Sequence, residues 1–316
     1  MLMLERKMWR ALLRIWGFWG KAPGWHYRAV ERWGRRLSAG KLIQSSLVNG
    51  CCMDCDLQDQ IQRLIYFQGL YEPVEAFLFT SILQPGMTVV DAGANVGQYT
   101  LLASRAIGPA GTVYSFEPVP STFSRLQSHV RDNRLENVQL TRAALWAEAT
   151  VLRIGLSPDM SNNCGAYSVG SSNPATTLEC HSLRLDDFVF ERRIDRVDLV
   201  KMDIEGAELF ALHGMLSTLR RHRPILLMEV NRVAATRLGY SPADLWDLLV
   251  TDLGYRAWAI GHSHHVSHAL TDLDEIEQQN VIFHVEDLPA AVTEGWDLKS
   301  VLRWARRSKP EIVRSS

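Results

Sequence analysis

From about residue 85 the chain alternates short apolar, β-branched runs with longer segments of helical spacing, and this alternation restricts the fold more than any other feature. MTVVDAG leads into a helix through Tyr99 to Ala106, GTVYSFEP into a helix over Ser121 to Asn133, and the short strand NVQL follows. Later come VDLVKMDIEG, a helix from Ala207, PILLMEVN, a helix over Ala243 to Leu253, YRAWAI and NVIFHV. A strand that reaches the next one through a helix returns in the same direction, so these units build a mostly parallel sheet with helices on both faces. The pattern predicts an α/β fold of about seven strands. With 316 residues, 47% of them hydrophobic, the chain has ample apolar material for such a core.

The first strand runs into VVDAGANVGQYT, residues 89–100, where an acid precedes glycines at 93 and 97. A strand ending in a carboxylate, followed by a glycine turn and a helix, presents backbone N–H groups and one negative charge at the mouth of the sheet. That geometry suits a nucleotide-like ligand. A dinucleotide site would need Gly-x-Gly-x-x-Gly facing a pyrophosphate, and Gly93-Ala-Asn-Val-Gly97 lacks that spacing. Asp91 would repel pyrophosphate but could engage an ammonium group, directly or through water. Glu117 ends the second strand, where an acid accepts hydrogen bonds from a ribose diol. Ribose plus ammonium without pyrophosphate describes S-adenosylmethionine. After the third strand, Ala143-Ala144-Leu145 is small and apolar enough for an adenine ring to lie against it. Each acid also has a structural reading, Asp91 as a helix cap or turn residue and Glu117 as a solvated strand end; their order and placement together favour the cofactor.

VVDAGANVGQYTLLAS, VYSFEPVPSTFSRLQ, LRLDDF, VDLVKMDIEGAELFALHG and RPILLMEVN resemble, in that order, the FkbM family of S-adenosylmethionine-dependent methyltransferases, and RLIYFQGLYEP resembles its lead-in. The resemblance covers about residues 55–285 and is carried by DxGANxG together with KxDxEG. It implies a class I, Rossmann-like methyltransferase fold with a seven-stranded sheet whose last strand is antiparallel. It also implies cofactor contacts from Asp91, Gly93, Asn95, Gly97 and Glu117, to which the small segment above adds Ala144. The implied reaction is transfer of a methyl group to a hydroxyl oxygen, often on a sugar or a glycosylated or polyketide product.

The fourth strand delivers Lys201-Met-Asp203-Ile-Glu205-Gly206 to the reacting edge, and alternation puts Lys201, Asp203 and Glu205 on one side while the strand lasts. Methyl transfer requires an acceptor oxygen held near the methyl carbon and a group to remove its proton. Asp203 is the first choice for base or acceptor-orienting group, with Glu205 beside it and Lys201 able to keep it ionised. Glu229 and Asn231 end the next strand and face the same crevice. The structural alternative makes Asp203 and Glu205 caps of the following helix and the other two turn residues. His181 offers a second candidate base.

Several features lie outside this frame. Residues 155–176 form a Gly-, Ser- and Asn-rich loop between ATVLRI and TTLECHSL and are a candidate acceptor loop. His262, His264, His265 and His268 could ligate a metal, but a solvated loop is the simpler reading, and no metal is expected in the site. Cys51, Cys52 and Cys55 lack the second pair of a zinc ribbon, and an odd total of five cysteines points to a reducing compartment. Residues 1–37 contain nine Lys or Arg against Glu5 and Glu31, a charge of +7, which leaves the remainder at about −8.

Met1, Leu4, Met8, Leu12, Ile15 and Trp19 mark an apolar helix face opposite Lys7, Arg10 and Arg14. That face could lie in a membrane interface, or pack on the catalytic domain or a second subunit. No apolar run reaches the ~18 residues needed to span a bilayer. The chain thus divides into a basic, Trp-rich helical extension (1–50), a methyltransferase domain (51–290) and a C-terminal helical tail (291–316). The expected protein is a cytoplasmic enzyme, with contact at the inner face of the membrane as an option, acting on a small-molecule, sugar or glycolipid acceptor. A nucleic-acid methyltransferase is the alternative, disfavoured because residues 38–316 are net acidic; a non-catalytic binding module is another.

Overall fold

The computed structural model describes residues 3–19, 23–37, 41–156, 167–170, 176–261 and 266–288, together with positions 292, 300, 301 and 304. Helices α1 (Met3–Trp19) and α2 (Pro23–Leu37) precede a hairpin of β1 (Ile43–Ser46) and β2 (Cys52–Cys55), then α3 (Gln60–Gln68) and α4 (Pro73–Ile82). The alternating region opens with β3 (Thr88–Ala92), α5 (Gln98–Ile107), β4 (Thr112–Phe116), α6 (Pro120–Asp132) and β5 (Val138–Thr141). Four strands follow, β6 (Ala144–Leu145), β7 (Val151–Leu156), β8 (Tyr167–Val169) and β9 (Leu178–Leu183), and then α7 (Leu185–Glu191). The second half holds β10 (Leu199–Met202), α8 (Glu208–His213), α9 (Leu216–His222), β11 (Ile225–Asn231), α10 (Arg232–Arg237) and α11 (Pro242–Trp246). A π-helical turn over Asp247–Asp252 continues α11, and β12 (Arg256–Ile260), β13 (Val266–Ala269) and β14 (Gln278–His284) complete the described elements.

The main sheet runs β13-β12-β14-β11-β10-β3-β4-β5. β3 pairs parallel with both β4 and β10, and β14 lies antiparallel between β11 and β12. This is the class I methyltransferase arrangement. All seven strands read from the sequence belong to it, and β13 adds an eighth at the edge, antiparallel to β12. VSHA is too short and polar to announce itself as a strand. β7 and β9 do not join this sheet; with β6 and β8 they form a separate four-stranded one.

Alternation along the central strands sends Val89, Val113, Leu199 and Leu227 into one core and Val90, Ala92, Phe116, Val200, Met202 and Met228 into the other. The first core is closed by α3, α4 and α5, and also by Leu13 of α1 and Val30 and Leu37 of α2. The turn between β1 and β2 contains residue 50, so the boundary placed there falls inside a single packed unit. The C-terminal tail lies largely outside the described residues, although Val292 and Val301 are fully buried in the same core. Among the described residues no helix is long and apolar enough to cross a membrane.

α1 docks by a different stripe from the one its periodicity singled out. Leu13 is buried and Trp16 packs against the core, whereas Met8, Leu12 and Ile15 remain about half exposed. Gly17 explains the offset, because a Cβ there would lie 2.3 Å from the Phe67 carbonyl oxygen of α3. Helix backbones approach closely where a small residue meets the contact, and that fixes which face turns inward.

Candidate functional site

The first half of the site is built at the exits of β3 and β4. Register places Asp91 opposite Ser115 on one side and Lys201 on the other, at the point where the strand order changes direction. Asp91 is fully buried: Oδ2 accepts from Thr100 Oγ1 at 2.6 Å, Thr100 and Ser115 hydroxyls lie 2.8 Å apart, and Oδ1 has no protein partner. Burial raises its pKa, opposed by Lys201. The carboxylate sits behind the cleft wall rather than on it, so it holds Thr100, acts on Lys201 through its charge, and reaches a ligand only through a bridging donor.

Gly93 adopts φ 75°, and a Cβ there would stand 2.0 Å from the carbonyl oxygen of Asp203. The glycine is therefore what lets the exits of β3 and β10 touch. Asn95 is also left-handed, φ 50°. Its N–H donates to Glu117 Oε2 and that of Val119 to Oε1, both at 2.9 Å, while its own Oδ1 accepts from Val96 N at 2.7 Å. Glu117 is thus fixed at the cleft by two backbone donors, and burial pushes its carboxyl up to about 7 against their effect. Gly93, Asn95, Glu117 and Ala144 line the cleft together with Ala143, Leu145 and Val119. Gly97 does not; its φ of 102° starts α5 and its bare Cα makes room for Leu126 and Leu101.

The second half lies beyond β10. Lys201 is 4% exposed, donates to Asp203 Oδ2 at 3.1 Å and stands 4.6 Å over the Tyr99 ring. Burial works against its charge, but Asp203, Asp91 and Glu72 outweigh it and raise its pKa. Asp203 and Glu205 face the cleft, and Glu205 is held at φ 56°. Burial, then Asp203 and Glu229, push Glu205 up to about 8. Glu229 accepts from Gln278 Nε2 at 2.7 Å; burial and Asp203 raise it to about 7, although its side chain stands back from the cleft lining. Of the structural alternatives for this edge, the turn reading fits Asn231, which caps α10 by accepting from Ala234 N; Asp203 and Glu205 do not cap α8, and Glu208 instead receives the N–H groups of Ile204 and Gly206. His181 is exposed on β9, outside the cleft. His262, His264 and His265 lie outside the described residues, and His268 falls in β13.

Sequence reasoning missed several residues that the fold brings here. Glu72, left-handed at φ 50°, accepts from the Tyr99 hydroxyl at 3.0 Å and is pushed up to about 8 by burial and Asp203. Tyr71 is locked by Gln98, whose side chain accepts from its N–H at 2.7 Å and donates to its carbonyl at 2.8 Å. Both sit in the lead-in RLIYFQGLYEP, whose unusual feature is a Glu-Pro step into α4. Glu208 is 2% exposed with its carboxyl at about 7, and the Tyr240 hydroxyl lies 3.2 Å from it. Trp146, stacked on Phe210 at 4.1 Å, joins Tyr167 and Val169 of the small sheet as an apolar wall.

The donor set fits S-adenosylmethionine. A cationic amino-acid tail suits the negative charge at the β3 exit, where a bridging donor would also satisfy the partnerless Asp91 oxygen; Glu117 retains lone pairs for a ribose diol, and the Ala143–Leu145 edge is apolar. The comparisons agree. The model of the FkbM methyltransferase domain matches residues 91–257, just over half of the chain. A "Methyltransferase 1" of Beauveria bassiana is 35% identical over 40% of this chain and 57% of its own. A 31-O-demethyl-FK506 methyltransferase of Streptomyces tacrolimicus is 28% identical over 42% of this chain and 61% of its own. The hexuronic acid methyltransferase AglP of Haloferax volcanii is 27% identical over 50% of this chain and 59% of its own. The chain thus spans about three fifths of the length of these relatives. A parallel sheet switching direction at β3, an acid behind the glycine turn, a second acid anchored at the exit of β4 and this domain match lead to one conclusion: the chain belongs to the FkbM family of S-adenosylmethionine-dependent methyltransferases.

Proposed function

We propose that the protein methylates a hydroxyl oxygen of an uncharged sugar, glycoconjugate or other polyhydroxylated small molecule. S-adenosylmethionine supplies an electrophilic methyl group on a sulfonium. The chain's own residues then have three tasks: to hold the donor, to hold the acceptor oxygen in line, and to take its proton. Asp203 is suited to the last, because it lines the cleft with the buried ammonium of Lys201 3.1 Å away. Glu205, with its carboxyl pushed up to about 8, is largely protonated at neutral pH and can donate a hydrogen bond to the acceptor. Glu229 extends the same acidic edge and helps raise Glu205.

The observation that carries the reading is the charge balance of this edge. Besides burial, Asp203 raises Glu72, Glu205, Glu208 and Glu229 alike, while Lys201 opposes it at Glu72 and Glu229 and Arg237 at Glu205. An anionic acceptor such as a uronate would meet the Asp203 carboxylate there, whereas a neutral polyol finds an acceptor in Asp203 and a donor in Glu205. The relatives named for a demethyl-FK506 and for a hexuronic acid support a small hydroxylated acceptor as a class, and the second, named for an acidic sugar, makes a uronate the competing acceptor. The test is transfer of isotope-labelled methyl from S-adenosylmethionine into separate pools of neutral glycosides and of uronates. Label in neutral acceptors as a base-stable methyl ether is expected; label only in uronates, or as a base-labile ester, would refute the reading.

A further inference from the structure

The surface of α1 and α2 is built unlike the rest of the molecule. Among the described residues, eleven large hydrophobic side chains are exposed, and seven of them are Met8, Trp9, Leu12, Ile15, Trp25, Tyr27 and Trp33. Single exposed apolar residues are ordinary, but a concentration on two adjacent helices marks an interaction surface. Met8, Leu12 and Ile15 recur at four- and three-residue spacing along one face of α1, while Leu13 and Trp16 face the core. On α2 the inward stripe is His26, Val30, Gly34 and Leu37, and the opposite stripe is Trp25, Arg28, Arg32 and Arg36.

The exposed aromatics and cations are interleaved. The Arg28 guanidinium lies 5.7 Å from the Trp25 ring centre, and those of Arg32 and Arg36 lie 5.5 and 5.2 Å from that of Trp33. Indole rings with guanidinium groups beside them match the layered chemistry of a lipid headgroup region, apolar below and anionic above.

The hairpin is also rigidly held. His26 Nε2 lies 2.9 Å from the Leu13 carbonyl, joining α1 to α2. Arg63 of α3, 0% exposed, grips both carboxylate oxygens of Glu31 at 2.8 and 2.9 Å, and a Cβ on Gly34 would stand 2.5 Å from its Cδ. α3 in turn lends Ile61 and Ile65 to the wall of the cofactor cleft. α3 thus stands between the surface of α1 and α2 and the cleft.

We infer that the exposed face of α1 and α2 docks the protein onto an anionic lipid surface. Charge selects this occupant over a symmetric second copy meeting face to face, because residues 1–37 carry +7 and two such faces would repel, while an anionic bilayer complements them. The apolar stripe selects it over a polyanion without an apolar phase, since Met8, Leu12 and Ile15 would gain nothing from phosphate alone.

Flotation of the full chain with vesicles of phosphatidylcholine alone, and of phosphatidylcholine with about 30 mol% phosphatidylglycerol, tests the inference. Binding to the anionic vesicles at least about tenfold stronger than to the neutral ones is expected. The pairs Leu12→Glu/Ile15→Glu and Arg32→Glu/Arg36→Glu should each lose about tenfold or more, with melting temperature and S-adenosylmethionine affinity unchanged, while Phe190→Glu at an exposed position elsewhere keeps full binding. Absence of flotation with anionic vesicles, or equal flotation of the Leu12→Glu/Ile15→Glu protein, would overturn it. So would a dimer in sedimentation equilibrium that the same pair dissociates, or RNA binding lost in both pairs without any vesicle binding.

Discussion

The two halves of the cleft solve opposite problems. On the β3–β4 side, polar groups are pinned: Glu117 receives two backbone N–H groups, Asp91 receives a hydroxyl, and the turn that carries them is left-handed at Gly93 and Asn95. On the β10–β11 side, carboxylates outnumber the cations Lys201 and Arg237, and burial together with Asp203 pushes Glu72, Glu205 and Glu229 up to about 8, 8 and 7. The first half is a fixed template, which suits a cofactor that never changes. The second is an electrostatic balance that a single substitution or a shift of pH can tip, which suits proton removal and acceptor selection.

Breaking the contact between the halves should have the largest effect. Gly93→Ala forces a side chain into positive φ and into the Asp203 carbonyl, so strain on the order of 1–3 kcal/mol plus a backbone clash is expected. Loss of both cofactor binding and several degrees of melting temperature is the expected result, measured by calorimetry and thermal unfolding. Asp203→Asn touches only the second half. It keeps the shape but removes the charge, and turnover should fall about 10²–10⁴-fold, read from initial rates of methyl transfer.

A smaller effect comes from pH. Glu72, Glu205 and Glu229 are raised in the fold from an ordinary 4.5, so between that value and about 7 to 8 the folded chain binds more protons than the unfolded one. Their contribution to stability is constant below about pH 4.5, declines as pH rises, and levels off above about pH 8. Melting temperature followed across that range should fall, and Glu205→Gln should flatten the slope. Leu12→Glu should be the mildest change, because its side chain touches neither half and is 48% exposed; unaltered melting and turnover without lipid are expected.

The same division explains what the sequence disclosed. β3, β4, β10 and β11 are apolar runs ended by acids, and the glycine turn has one recognisable spacing, so the template half was legible in DAGANVG and FEP. The other half depends on residues brought together by tertiary packing. Glu72 arrives from the entry to α4, Glu208 from inside α8, and Trp146 through its stack on Phe210, none of which sequence proximity reveals. Asp91 was found, but its withdrawal behind the cleft follows from Thr100 and Ser115, which look like ordinary helix and strand residues. On α1, periodicity identified an apolar face correctly as amphipathic, yet the inward stripe was set by the close approach at Gly17.

The most direct test of the two-halves account is titration of S-adenosylhomocysteine into Glu117→Gln and Asp203→Asn by calorimetry. If Glu117 is the ribose acceptor, Glu117→Gln should weaken binding about tenfold or more, while Asp203→Asn should stay within about threefold of the parent. Equal losses in both proteins, or a larger loss in Asp203→Asn, would contradict the division of the cleft into a donor template and an acceptor edge.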